Sequence, residues 1–206
     1  MIVFVHIPKT GGTSIRMAAA EYFGEDAVLY DYGPAQKTSP IVRELKYELE
    51  RPDDLARWIK DNQIAFLSGH FRYEQYAALL PDATFVTWVR DPVERIRSLY
   101  NHRTRHYDET SKLKDFVRKP RNCNKIAGLA GDPSNYAAIG VLERHAESIK
   151  MINAQLGIEL AVRHDNQLGD AQPLGNKLRN EILRRNAEDQ LFVEAADTRL
   201  DAALGN

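Results

Sequence analysis

The chain opens on an uninterrupted apolar run, Ile2 to Val5, breaks into His6-Ile7-Pro8-Lys9-Thr10-Gly11-Gly12, and takes up helical spacing near Thr13. Continuous apolar character without alternation predicts a strand buried on both faces, so this opening reads as strand, loop and helix. Ile64 to Leu67 and Ala83 to Val89 predict two more buried parallel strands, and Tyr136 to Leu142 another; Val28-Leu29-Tyr30 is a short candidate within the loop-like residues 24–40. Helical spacing runs from Ile41 to Asn62, where Pro52 and Asp53 end one helix and start the next on Leu55, Trp58 and Ile59. Asp91-Pro92-Val93-Glu94 predicts an N-cap, a proline at the first helical position and a capping box. The apolar side of that helix is Val93, Ile96, Leu99 and Tyr100, with Arg95 and Ser98 on a more polar neighbouring face.

Residues 104–135 are polar and basic, with a short helix in SKLKDFVRK and a Gly-rich stretch, RNCNKIAGLAGDPSN. A helix carrying Ile149, Ile152 and Leu156 follows the last strand; a polar loop, RHDNQLGDAQPLGN, then leads into two terminal helices. Strands alternating with helices predict an α/β layer fold around a largely parallel sheet. At 206 residues, 43% of them hydrophobic, the chain suits a single domain over 1–206.

Charge narrows the function. A formal net charge of -1 argues against a general nucleic-acid or membrane-surface binder, although local basic patches remain. The single cysteine, Cys123, excludes an intramolecular disulfide. No run approaches the ~20 apolar residues of a membrane span. Met1 leads straight into the first strand with no room for a signal peptide, so the expected compartment is cytoplasmic.

The loop HIPKTGGTS combines paired glycines with Lys9 and the hydroxyls of Thr10, Thr13 and Ser14, offering backbone N–H groups and one point charge to a phosphate. It departs from the GxxxxGK[ST] loop of nucleoside triphosphatases because its lysine precedes the glycines. A second element, VTWVRDPVERIRSLYNH, sets Arg90 at a strand end and Ser98 two turns into the following helix.

HIPKTGGTS and RDPVERIRSLY together resemble the paired donor-binding signatures of sulfotransferases that use 3'-phosphoadenosine 5'-phosphosulfate (PAPS), in the branch of heparan sulfate and other carbohydrate O-sulfotransferases. GVLERHAESIKMINAQLG and AEDQLFVEA resemble that family's downstream pattern, extending the likeness over most of the chain. The resemblance implies a P-loop-like three-layer fold with helices flanking the sheet. It implies transfer of a sulfuryl group to a hydroxyl of a saccharide or glycoconjugate, with adenosine 3',5'-bisphosphate (PAP) as product and no metal. Lys9 would contact the 5'-phosphate and bridging oxygen as catalyst, and Thr10, Gly11, Gly12, Thr13 and Ser14 would complete the cradle. Arg90 and Ser98 would hold the 3'-phosphate, for which a guanidinium fork is suited.

His70, at a strand end in SGHFRYE, matches the position of a catalytic histidine in such enzymes, and its ordinary pKa of ~6.5 suits proton abstraction. His102 is a weaker candidate base, His6 reads as support for the loop, and His106, His145 and His164 have no context. The family commonly sets an asparagine, a threonine and an arginine near the donor where this chain has NCNKIAGLAG, and Ala127 falls at the arginine position. Lys125 stands either as a substitute donor contact or as a solvated lysine. The basic residues Arg103, Arg105, Lys112, Lys114, Arg118, Lys119 and Arg121 either meet an anionic acceptor or are balanced by nearby acids. Two rival functions remain: an ATP-dependent small-molecule kinase, which lacks its lysine-serine pair here, and a non-catalytic nucleotide-binding protein.

Overall fold

The computed structural model describes residues 1–163 and 174–205. Most of the polar loop expected over 163–176, including His164, lies outside them. Five strands, β1 (Ile2–Val5), β2 (Val28–Asp31), β3 (Phe66–Gly69), β4 (Thr84–Val89) and β5 (Ala138–Val141), form one sheet in the order β2-β3-β1-β4-β5. All four pairings are parallel, so the expected α/β fold is present with a wholly parallel sheet. β1 lies in the middle, buried at all four residues, as its unbroken apolar run requires.

Helices connect and cover the strands. α1 (Gly12–Phe23) leaves β1; α2 (Pro40–Val42) runs into a π-helical turn (Arg43–Glu48), and α3 (Pro52–Asp61) precedes β3. α4 (Tyr73–Leu79) joins β3 to β4, and α5 (Pro92–His106) follows β4. Two short helices, α6 (Leu113–Phe116) and α7 (Lys125–Ala130), lead to β5, and α8 (His145–Leu156), α9 (Asn176–Arg185) and α10 (Ala187–Leu204) complete the chain. The main core joins sheet residues such as Phe4, Leu67 and Trp88 to Ile15, Leu55, Ile149 and Leu200 of the helices. A satellite cluster of Val93, Ile96, Val117 and Ile182 seats α9 on α5.

Two local differences from expectation have physical causes. At the start of α5, Asp91 Oδ1 accepts from the Glu94 N–H at 2.9 Å, but the Glu94 carboxylate pairs with Arg97 at 2.7 Å instead of closing a capping box. Arg95 is fully buried rather than on a polar face, because Asp189 of α10 meets it at 3.6 Å and the Asn122 carbonyl accepts from its Nη2 at 2.9 Å.

The chain runs from β1 out to β2, returns through β3, and crosses β1 to reach β4. That reversal puts the topological switch beside the carboxyl end of β1, where open parallel sheets hold their ligands. The residues just past the strand ends are His6, Tyr32, His70, Arg90 and Leu142.

Candidate active site

The loop after β1 is held open from within. The His6 N–H donates to the Gly69 carbonyl at 2.9 Å, and the Thr10 hydroxyl, fully buried, donates to the Ile7 carbonyl at 2.8 Å. The Thr10 side chain therefore braces the loop. Lys9 has φ 74 and Gly11 φ 86, both left-handed, which turns the chain sharply into α1. Such a conformation strains lysine by roughly 1–3 kcal/mol and suits glycine. The Ser14 N–H bonds back to the Gly11 carbonyl at 3.1 Å, whereas the N–H groups of Gly11, Gly12 and Thr13 donate to no acceptor among the described residues. α1 has neither a side-chain cap nor an acidic residue in its first turn. Three unpaired amides at a helix N-terminus beside a lysine fit a phosphate oxygen.

Gly12 is glycine for a different reason. A Cβ there would collide with the imidazole of His6, 2.8 Å from its Cγ and closer still to Cδ2 and Nε2. The HIPKTGGTS loop thus closes through a histidine packed under its second glycine.

At the end of β4, Arg90 Nη1 lies 3.5 Å from the Lys9 carbonyl oxygen and Nε 3.7 Å from Glu143 Oε1. The buried Nε has no hydrogen-bond partner among the described residues. Glu143, just past β5, also accepts from the Asp91 N–H at 3.2 Å; burial raises its carboxyl pKa, with the nearby Arg90 opposing. Burial, and then the Arg90 charge, lowers the Lys9 pKa. Negative charge bound at either cation would relieve this effect. Ser98 is buried on α5, and Ser14 is buried in the first turn of α1.

On the other side of the loop, His70 follows β3 directly. Its ring meets Tyr32 edge-on at 4.8 Å and His6 at 4.6 Å, and the Tyr32 hydroxyl lies 3.3 Å from His6 Nδ1. Lys37 sits 4.4 Å above the Tyr32 ring, and Arg16 lies 5.1 Å from the centre of Tyr30. Burial and then Lys37, Arg16 and Lys9 push the His70 pKa down to about 4, although solvent reaches the residue. Burial, His70 and the same cations hold His6 far below the ordinary histidine range. Both imidazoles are neutral near pH 7, so His70 can accept a proton.

The structure brings Lys9, Thr10, Gly11, Gly12, Thr13, Ser14, Arg90 and His70 to one edge of the sheet, with Ser98 buried on the helix that follows Arg90. Lys125 comes from a later segment of the chain, beyond α5. It opens α7, where the Asn124 and Ala127 N–H groups donate to Asn186 Oδ1 and Asp189 Oδ1, each at 3.0 Å. The NCNK backbone is therefore tied to the start of α10. His102 is half-buried on α5 near His106, with its pKa lowered by burial and then by Lys9. The basic segment is partly balanced: Lys119 pairs with Glu109, and Arg118 with Glu181.

The sequence reading missed Tyr32, Arg16, Lys37 and Glu143. Tyr32 and Glu143 carried one usable signal: each follows a strand closely in a parallel sheet, where the carboxyl ends share an edge.

No protein-family model and no curated protein sequence matches the chain. Among solved structures it is similar to a sulfotransferase from Alicyclobacillus acidocaldarius, at 18% identity and a TM-score of 0.55 over 94% of each chain. It also matches a retinol dehydratase in complex with androsterone and inactive cofactor PAP, at 14% identity and a TM-score of 0.43 over 91% of this chain and 64% of that one. The first likeness extends nearly end to end and shows that the two chains share a fold.

Proposed function

We propose that this chain is a PAPS-dependent O-sulfotransferase acting on a hydroxyl of a saccharide or glycoconjugate. One observation carries the reading: the amides of Gly11, Gly12 and Thr13, unpaired among the described residues, face an anion site bordered by Lys9, while Arg90, whose Nε has no hydrogen-bond partner among the described residues, stands one strand away. Two cationic positions at the ends of neighbouring strands suit an adenosine nucleotide carrying phosphate at both its 5' and 3' positions. The sulfotransferase fold and the two sequence signatures support the donor assignment.

PAPS supplies the activated sulfuryl group. Lys9 and the three amides hold the 5' end and meet the charge that grows on its phosphate as the sulfur-oxygen bond breaks. Arg90 and Ser98 hold the 3'-phosphate, and Lys125 remains a candidate outer contact. His70 takes the acceptor hydroxyl's proton as the new sulfur-oxygen bond forms. Arg16 and Lys37 flank the His70 side with no carboxylate in ion-pair range among the described residues, which supports an acceptor bearing negative charge.

Calorimetry with PAP against ATP, with and without Mg²⁺, tests the donor half. PAP binding that is tighter than ATP and indifferent to Mg²⁺ is expected; tighter ATP binding overturns the reading. Labelled PAPS incubated with a saccharide panel tests the rest, with turnover lost in Lys9→Ala and His70→Ala. PAP binding without transfer to any acceptor favours the non-catalytic alternative.

A further inference from the structure

We propose that the end of β2, Asp31 and Tyr32, is the positioning device for His70, with Lys46, Tyr47 and Tyr76 as its anchor. This rests on the reading of His70 as the base.

Asp31 is fully buried, and its carboxylate has four donors. Lys46 Nζ at 2.6 Å and the Tyr76 hydroxyl at 2.7 Å donate to Oδ2; the Tyr47 hydroxyl at 2.7 Å and the Gly33 N–H at 3.0 Å donate to Oδ1. Burial alone raises this carboxyl's pKa, and the Lys46 ammonium and the two phenols outweigh that, so it stays ionised. Lys46 and Tyr47 are neighbours in the π-helical turn, Tyr76 comes from α4, and Gly33 from the loop beyond β2. Three separate segments thus converge on one side chain at the last residue of an edge strand. A buried ion pair adds little net stability compared with apolar packing, so such a network is better explained by the position it fixes.

That position is transmitted to His70 twice. The Asp31 carbonyl accepts the His70 N–H at 3.0 Å. The approach is close enough that a Cβ on Gly69 would lie 2.5 Å from the Asp31 carbonyl carbon, so no larger residue fits between the strand ends. The next residue, Tyr32, sets its ring at 89° to the His70 imidazole and its hydroxyl against His6. Backbone and ring together hold His70 between the ends of β2 and β1. Neither Asp31 nor Tyr32 is required to touch a substrate.

The test uses full-length protein with ¹⁵N-labelled histidine, following the His70 imidazole by NMR from pH 3 to 8 and PAP affinity by calorimetry. Tyr32→Ala should move the His70 midpoint upward by about one pH unit or more, toward the ordinary ~6.5, with PAP affinity changed by less than about twofold. The Tyr47→Phe/Tyr76→Phe double variant keeps the Lys46 pair and the Gly33 contact, so it loosens Asp31 without leaving its charge unpaired. It should change the His70 ring shifts and its contacts to Tyr32 while retaining PAP binding. An unmoved midpoint in Tyr32→Ala, or wild-type His70 shifts in the double variant, overturns the proposal. Wild-type protein that fails to bind PAP overturns the sulfotransferase reading instead and leaves the His70 result standing by itself.

Discussion

Replacing Gly12 with alanine isolates what the second glycine of the loop is for. Its φ is not in the left-handed region, so alanine is conformationally allowed, and in a helix alanine is favoured over glycine by up to about 1 kcal/mol. Against this, the new Cβ would stand 2.8 Å from His6 Cγ and closer to two other ring atoms, where carbon contacts normally begin near ~3.5 Å. The ring has little room to yield. It stacks on Phe4 at 5.6 Å, meets His70 at 4.6 Å, and its backbone N–H is bonded to Gly69. Overpacking of this kind costs about 1–3 kcal/mol, and the tight surroundings put it near the upper end. Subtracting the helix gain leaves about 2 kcal/mol, or a Tm lowered by about 4–8 °C in a chain of this size. Displacing the start of α1 should also loosen PAP by about tenfold, as expected for one charge-assisted hydrogen bond lost. The assay is a double-mutant cycle with His6→Ala, read by thermal unfolding and calorimetry. In the His6→Ala background, Gly12→Ala should be neutral or slightly stabilising, giving a coupling of about 2–3 kcal/mol. An equal loss in both backgrounds would refute the role assigned to the imidazole.

Asp189→Ala should destabilise the fold by about 3–5 kcal/mol, since it leaves the Arg95 guanidinium buried without its counter-ion and removes an acceptor from the α7 amides; a loss under about 1 kcal/mol in urea unfolding would show the pair to be dispensable. Arg90→Ala should reduce the preference for PAP over adenosine 5'-monophosphate by about 30-fold, the equivalent of about 2 kcal/mol for contacts to a charged group, and an unchanged ratio in competition titrations removes its 3'-phosphate role. Because the folded His70 pKa is depressed to about 4 from an unfolded value near ~6.5, the unfolded chain takes up a proton that the fold refuses; stability from this source is complete above ~6.5 and falls as pH drops toward 4. His6 acts with the same sign. The acid limb of turnover should likewise lie below pH 6, and added salt should shift it upward in part, because burial is the larger cause and the cations Lys37, Arg16 and Lys9 the smaller; a limb fixed at the ordinary histidine value contradicts this account.

The sheet was legible where the chain carries its own signal. β1 is an unbroken apolar run, as a strand covered on both faces requires, and β4 and β5 fall within the runs expected for them, whereas β3 lies two residues later than its apolar run and takes in Ser68 and Gly69; Asp91-Pro92 marks the start of α5 without reference to anything distant. β2 was legible only as a short candidate, because its last residue is a charge, and Asp31 is tolerated in the core only through Lys46, Tyr47 and Tyr76. Arg95 misled for the same reason: helical spacing assigns it to a polar face, and its partner Asp189 belongs to the terminal helix. In the site, Lys9, Gly11, Arg90 and His70 could be found because each adjoins a strand end in the linear sequence. Arg16 and Lys37 could not, since one lies beyond the first turn of α1 and the other in an unpatterned loop, and only the packing against Tyr30 and Tyr32 brings them near.

His6 joins what the sequence treated as separate halves. Its ring fills the space that Gly12 leaves vacant under the turn proposed to bind the anion, while its Nδ1 meets Tyr32 and its ring meets that of His70. A lysine placed before the glycines frees the far end of the loop from carrying the charged side chain, so α1 can begin directly over the imidazole. The two glycines then have separate tasks, Gly11 reversing the chain at φ 86 and Gly12 admitting His6. The amides of the proposed donor site and the proposed base, His70, are consequently referred to one buried ring. A change in the seating of the loop is felt at His70 through direct contact, across the same few ångströms over which a transferred group and its acceptor must be aligned.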